Sequence, residues 1–256
     1  PPPPSVPPPS PPPSPVPSPP PPFPPRDIDC SAITPLYLEA SCANGVTLGE
    51  ASPAVVRFPS VGTVKEQGAA DVPFDLLLTV TEGNAYYGCN GGATDEDGTL
   101  VTYGRYGSIS VHGGSTAKVT VELVDPTTGA KVIVPNFYLS FYDLDGDGDG
   151  DAYKSIELAD YESVTLSSPT NVVVDDAGTT FRACGVATDC GAATAADGTT
   201  ENLPTEPSSA SPLELTAEQL ARTATFMFAD VSTLTFVLRT GTAQGGDPLS
   251  FLFGGA

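Results

Sequence analysis

The chain has a single histidine, and only ten basic residues stand against 31 acidic ones. One histidine, His112, cannot complete a typical zinc set, and every Ser-His-Asp or Cys-His nucleophile would have to rest on it. It stands in Ser-Val-His-Gly-Gly at the end of an alternating run, the setting of an ordinary surface or turn histidine. No G-x-S-x-G precedes a helix and no phosphate loop occurs, so the chain reads as a non-enzyme. A glycosidase carboxylate pair remains open among 31 acids, but no spacing singles one out. The shortage of Lys and Arg gives a formal charge of −21, which opposes nucleic acid and anionic membrane surfaces. No apolar run approaches the roughly 18–20 residues that a membrane span needs. No asparagine sits in an N-x-S/T acceptor, so any glycan has to be O-linked.

Five cysteines are present, Cys30, Cys42, Cys89, Cys184 and Cys190, and none forms CxxC. Cys184 and Cys190 flank the small run GVATD, and Cys30 and Cys42 are also close in sequence. The expected state is an oxidised, secreted protein with two disulfides and one cysteine left over, against the alternative of five buried thiols. The pairing is not fixed by sequence. The chain opens at Pro1 with no visible signal peptide, so secretion rests on composition and cysteines.

Two segments of different chemistry follow one another. Eighteen of the first 25 residues are proline, and no charge occurs before Arg26. Proline fixes φ near −65° and disfavours helix in the residue before it, so residues 1–25 are expected to form a polyproline II rod. At about 3.1 Å per residue the rod would extend roughly 75–80 Å. Residues 26–256 hold every charged side chain, and 39% hydrophobic content over the whole chain suits one folded domain.

Ser5, Ser10, Ser14 and Ser18 punctuate the prolines, with Ser-Pro-Pro-Pro at Ser10 and Ser-Pro-Pro-Pro-Pro at Ser18. These blocks resemble the extensin-type repeats of hydroxyproline-rich glycoproteins of plant and green-algal walls, including the rod of algal pherophorins. The resemblance covers about a tenth of the chain and says little about the domain that follows. It implies hydroxylation and O-glycosylation, with Ser5, Ser10, Ser14, Ser18, Pro11, Pro12, Pro13, Pro19, Pro20, Pro21 and Pro22 as candidate positions. The plain alternative is an unmodified spacer.

Residues 26–256 show period-two alternation in twelve short runs. These are Ala54–Phe58, Val72–Val80, Ser108–Val111, Ala117–Val124, Lys131–Val134 and Phe137–Tyr142, then Ala152–Leu158, Ser163–Leu166, Asn171–Val174, Thr180–Ala183, Ala224–Phe228 and Thr233–Arg239. Turn signals separate them at Glu82-Gly83-Asn84, Asp97-Gly98, Pro126–Gly129 and Asp176–Gly178. The expected fold is all-β, an antiparallel β-sandwich, jelly-roll-like. The capping box Thr216-Ala-Glu-Gln219 predicts one short helix ending near Arg222.

Two features point to binding. In Phe137–Tyr142 the residues Tyr138, Ser140 and Tyr142 share one face, and Tyr86 and Tyr87 lie near a turn. Tyrosine rings can stack sugar or proline rings, so Tyr138, Tyr142, Tyr86 and Tyr87 are candidates for a binding groove, against ordinary packing. The second feature is Asp143, Asp145, Asp147, Asp149 and Asp151 in DLDGDGDGD. Alternate carboxylates on a glycine-rich turn offer hard oxygens to calcium, in a structural role. The loop resembles the calcium loops between strands of integrin-type repeats. It lacks the bidentate Glu at the twelfth position of an EF-hand. The alternative is a solvated acidic hairpin.

The expectation from these residues is an extracellular structural glycoprotein whose proline tail docks on the head of a neighbouring copy, giving a filament of the wall-fibril or flagellar-hair type. The competing expectation is a calcium-dependent carbohydrate-binding module or adhesin on a proline-rich stalk. Neither requires nucleic acid or membrane insertion.

Overall fold

The computed structural model describes residues 46–49, 55–64, 71–87, 93–94, 100–101, 107–144, 154–175, 177–183, 215, 217–241 and 248–256. The proline segment, the five cysteines, Thr216, the Asp97-Gly98 turn signal and Asp145 to Asp151 lie outside them.

The elements are β1 (Val46–Gly49), β2 (Val55–Val64), β3 (Val72–Tyr87), β4 (Ala93–Thr94), β5 (Leu100–Val101), β6 (Gly107–His112), β7 (Thr116–Val124) and β8 (Val134–Tyr142). They continue with β9 (Lys154–Leu158), β10 (Ser163–Leu166), β11 (Val172–Val174), β12 (Thr180–Ala183), α1 (Ala217–Ala221), β13 (Ala224–Val231), β14 (Thr233–Thr240) and β15 (Pro248–Gly255). Strand pairing is antiparallel throughout. This is the expected class, built as two layers that share one strand. Sheet A runs β10-β13-β8-β15-β6-β3, with β1 on the far side of β3. Sheet B runs β3-β7-β14-β9-β12-β11, with β2 on the outer side of β3.

The shared strand is where the chain departs from expectation. Glu82-Gly83-Asn84 is not a turn: β3 continues through it to Tyr87. A register shift falls between Val80 and Glu82, and Gly83 takes φ +76°. A side chain at Gly83 would bring its Cβ to 2.0 Å from the Thr116 carbonyl oxygen. Glycine therefore permits a bulge that carries one strand from sheet B into sheet A.

Alternation places one face of each strand in the space between the layers. Phe58, Phe137, Phe141, Phe181, Phe226, Phe236, Phe251 and Phe253 are fully buried, and each contributes about 1.5–3 kcal/mol by leaving water. Rings meet edge-on across the gap, with Phe141 of β8 5.0 Å from Phe236 of β14, and Phe181 of β12 4.7 Å from Phe226 of β13.

Two hairpin turns use one device. The Asp125 carboxylate accepts the amides of Thr127 at 2.8 Å and Thr128 at 2.6 Å, and Gly129 closes the turn at φ +71°. The Thr128 amide leads the causes that hold Asp125 below the usual carboxylate range. Asp175 repeats the pattern with the amides of Thr179 and Thr180. Burial opposes ionisation there, but these hydrogen bonds outweigh it and lower the Asp175 pKa. Helix α1 is the short connector expected before β13, and its last residue, Ala221, accepts the Asn171 amide at 2.7 Å.

Candidate functional site

The two outer faces of the sandwich differ in chemistry. On sheet B the outward side chains mix ions with threonines such as Thr79, Thr120 and Thr235, and most of the ions pair across strands. Lys118 meets Glu82 at 2.6 Å, and Arg239 meets Glu157 at 2.7 Å. At the end of β7, Glu122 meets Lys131 at 2.9 Å. Asp75 is buried beneath Arg57 and accepts the Ser60 amide at 2.7 Å, which fixes the bulge in β2. These four pairs balance one another in sign.

On sheet A the outward residues of β6, β8, β10, β13 and β15 include no Asp, Glu, Lys or Arg, apart from Asp230 near the end of β13. Registry aligns them in rows across the strands. One row is Tyr86, Ser110 and Ser250, from β3, β6 and β15. The Ser110 and Ser250 hydroxyls are hydrogen bonded at 2.8 Å. Another row holds Thr165, Thr225, Ser140 and Gly254, and the hydroxyls of Ser140 and Thr225 lie 2.8 Å apart. Between these two rows, Leu252 is paired with Tyr142 on one side and Ser108 on the other.

The four tyrosines expected to line a groove are not equivalent. Tyr86, Tyr138 and Tyr142 share the outer face of sheet A, but Tyr142 is 5% exposed and Tyr138 is half-buried. Leu252 and Met227, on the same face, are buried as well although they stand outside the core cluster. Tyr86 is 45% exposed, the one aromatic among the described residues with so open a ring. Tyr87 follows it in β3, in register with Val46 and Ile109. Asn84 and His112 are exposed beside the Tyr86 row.

The acidic loop is visible only at its root. Lys154 donates from Nζ to the Asp143 carbonyl at 2.8 Å and to its carboxylate at 2.9 Å, and both side chains are buried. Asp143 takes φ +56°, and the next amide, Leu144, donates to the Arg222 carbonyl at 2.9 Å. Asp143 thus serves an ammonium group, and a calcium set in this loop would rest on Asp145, Asp147, Asp149 and Asp151, whose carboxylates have the right chemistry. Among the described residues no group of three His, Cys, Asp or Glu could hold a metal ion. The cysteine and glycosylation candidates lie outside the described residues. No described helix is long and apolar enough to cross a membrane.

Sequence reasoning passed over Ser110, Ser250 and Asn84. Ser110 carries a signal in the alternation of GSISVH, where Ser108 and Ser110 share a face. Ser250 could not be placed, because β15 was not recognised as a strand.

No protein-family description matches the chain, and no curated protein matches it. Among solved structures, the N-terminal domain of the Streptococcus gordonii adhesin Sgo0707 is 13% identical at a TM-score of 0.45, over 86% of this chain and 49% of that one. The glucan binding protein C of Streptococcus mutans is 13% identical at a TM-score of 0.46, over 82% of this chain and 59% of that one. The adhesin domain of PrgB from Enterococcus faecalis is 13% identical at 0.38, over 83% and 60%. The chain thus spans about half to three-fifths of the length of these proteins. At such scores the likeness assigns no function.

Proposed function

We propose that the chain is a secreted recognition head, a calcium-dependent carbohydrate-binding module or adhesin, carried on a stiff proline-rich rod. The rod is O-glycosylated in the manner of hydroxyproline-rich wall glycoproteins, the head is a jelly-roll-like sandwich stapled by disulfides, and neither part is catalytic. The observation that carries this reading is the contrast between the two outer faces: ion pairs among the hydroxyls of sheet B, and an almost uncharged hydroxyl face with one open tyrosine ring on sheet A. Sugars present hydroxyl groups and apolar ring faces, which such a surface matches without burying a charge. The acidic loop leaves β8 directly after Tyr142, so a cation there would order the edge of the same face. In a glycan-panel assay the full chain is expected to retain at least one neutral glycan and to release it when a calcium chelator is added. Failure to bind any glycan would remove this reading.

A second reading, a subunit of an extracellular filament, draws on the 25 uncharged residues that precede Arg26. A rod roughly 75–80 Å long reaches another copy, and proline rings dock on aromatic surfaces at small entropic cost. Repeated head-to-tail contact of this kind generates an open fibre. Electron micrographs of the native protein should then show filaments, and a chain lacking residues 1–25 should give single particles. Polymerisation of the truncated chain would exclude tail docking.

A further inference from the structure

We infer that the sugar-contacting site is the row Tyr86, Ser110 and Ser250, flanked by Asn84 and His112, and that its ligand is a neutral polysaccharide lying across the strands. This deepens the carbohydrate-binding reading and rests on it. Three observations converge on the row. Tyr86 offers an open ring, whereas Tyr138 is half-buried and Tyr142 is buried. The Ser110 and Ser250 hydroxyls share one hydrogen bond, which holds both rotors while leaving acceptor lone pairs and a second donor for a ligand. The row runs perpendicular to β3, β6 and β15, so at about 4.8 Å between strands its contacts extend on the order of 10 Å. An extended polymer crossing the strands meets the ring first and the two hydroxyls next.

Charge selects the class of polymer. The chain carries −21 overall, and the outward side chains of sheet A supply no Lys or Arg to offset it. A polyuronate or sulfated glycan would be repelled without a counter-charge at the site, whereas a neutral glycan loses nothing. Sheet B is the poorer candidate for a neutral glycan, because charged side chains stand among its threonines and its described residues include no exposed aromatic ring.

The test uses the full chain in affinity electrophoresis through two neutral glucans, dextran and laminarin, and through alginate as the acidic control. Retardation by a neutral glucan and none by alginate is expected. Tyr86→Ala should weaken binding about tenfold or more, the scale of one lost ring contact, while Tyr86→Phe stays near the parent. Arg239→Ala, on sheet B, should bind as the parent does. Tyr86 is exposed, so both Tyr86 variants are expected to keep the unfolding midpoint of the parent, which reports that the fold is intact. Glucan binding that survives Tyr86→Ala would overturn this assignment and leave the recognition-head reading standing. Retardation by alginate would overturn the neutral class. If no glucan is retained but a peptide of residues 1–25 binds, both carbohydrate statements fall and the filament reading remains.

Discussion

Lys154 and Lys118 each face a carboxylate, and the two contacts have nearly the same length, 2.9 and 2.6 Å. Their energetic roles differ because water reaches only one of them. The Lys118 side chain is 40% exposed and its partner Glu82 69%, whereas Lys154 and Asp143 are both under a tenth exposed. An exposed pair is worth about 0–1 kcal/mol, since water and salt screen it and two long side chains lose rotamer freedom. Removing one member of a buried pair leaves the other charge without its counter-ion and costs about 3–5 kcal/mol. Lys154→Met is therefore expected to lower unfolding stability by several kcal/mol, and Lys118→Met by less than about one. Urea denaturation of the two variants compares them directly. Equal losses would mean that the root of the acidic loop is not the anchor its geometry suggests. Asp143 was legible in the sequence as a carboxylate in a run of carboxylates. Its ammonium partner, 11 residues away in β9, was not, because that pairing depends on how β8 and β9 leave the loop.

At the scale of elements, Gly83 and Gly129 share a positive φ but differ in what surrounds them. A Cβ at Gly129 would meet nothing within 4 Å. Alanine there is expected to cost about 1–2 kcal/mol, the penalty of the left-handed conformation alone. At Gly83 the Cβ would lie 2.0 Å from the Thr116 carbonyl oxygen, so alanine must also part β3 from β7 where β3 changes sheets. Gly83→Ala should therefore lose clearly more stability than Gly129→Ala, measured as the shift of the thermal midpoint, and a smaller loss would place the hinge elsewhere. The same residue marks where sequence reading was incomplete. Period-two alternation found Ser163–Leu166 and Thr180–Ala183 to the residue, because each is a short run bounded by polar turns. It stopped β3 at Val80, since Glu-Gly-Asn reads locally as a turn and only Thr116 across the ladder makes it a bulge. It missed β15 because Pro248 and two terminal glycines mask the inward pair Phe251 and Phe253. The tyrosine faces were legible from alternation in β8, but exposure was not: both faces of that strand are substantially buried, and the open ring is Tyr86 of a strand read as ending earlier.

Across the whole molecule, uncompensated negative charge acts on every element at once. Thirty-one acids against ten bases leave a compact body that repels itself, and the ion pairs of sheet B offset only as many acids as they have bases. Any salt should therefore raise the unfolding temperature between 10 and about 100 mM, where the Debye length shrinks from roughly 30 to 10 Å. Calcium acts differently if Asp145, Asp147, Asp149 and Asp151 form a site, because a ligand of the folded state stabilises by mass action. At a hundredfold excess over Kd that contribution is about 2.7 kcal/mol, which raises the midpoint of a chain this size by roughly 5–10 °C. The two effects separate at fixed ionic strength. Replacing magnesium by calcium at about 0.15 M total ionic strength leaves screening constant and changes only site occupancy, because the smaller magnesium ion demands stricter octahedral geometry and keeps its water. The full chain is expected to gain the calcium increment, and Asp147→Asn with Asp149→Asn is expected to lose it while keeping the rise with sodium chloride. An equal rise with magnesium and calcium, unchanged in the double variant, would mean that the acidic loop is no more than part of the general field, and the calcium dependence proposed for glycan binding would fall with it.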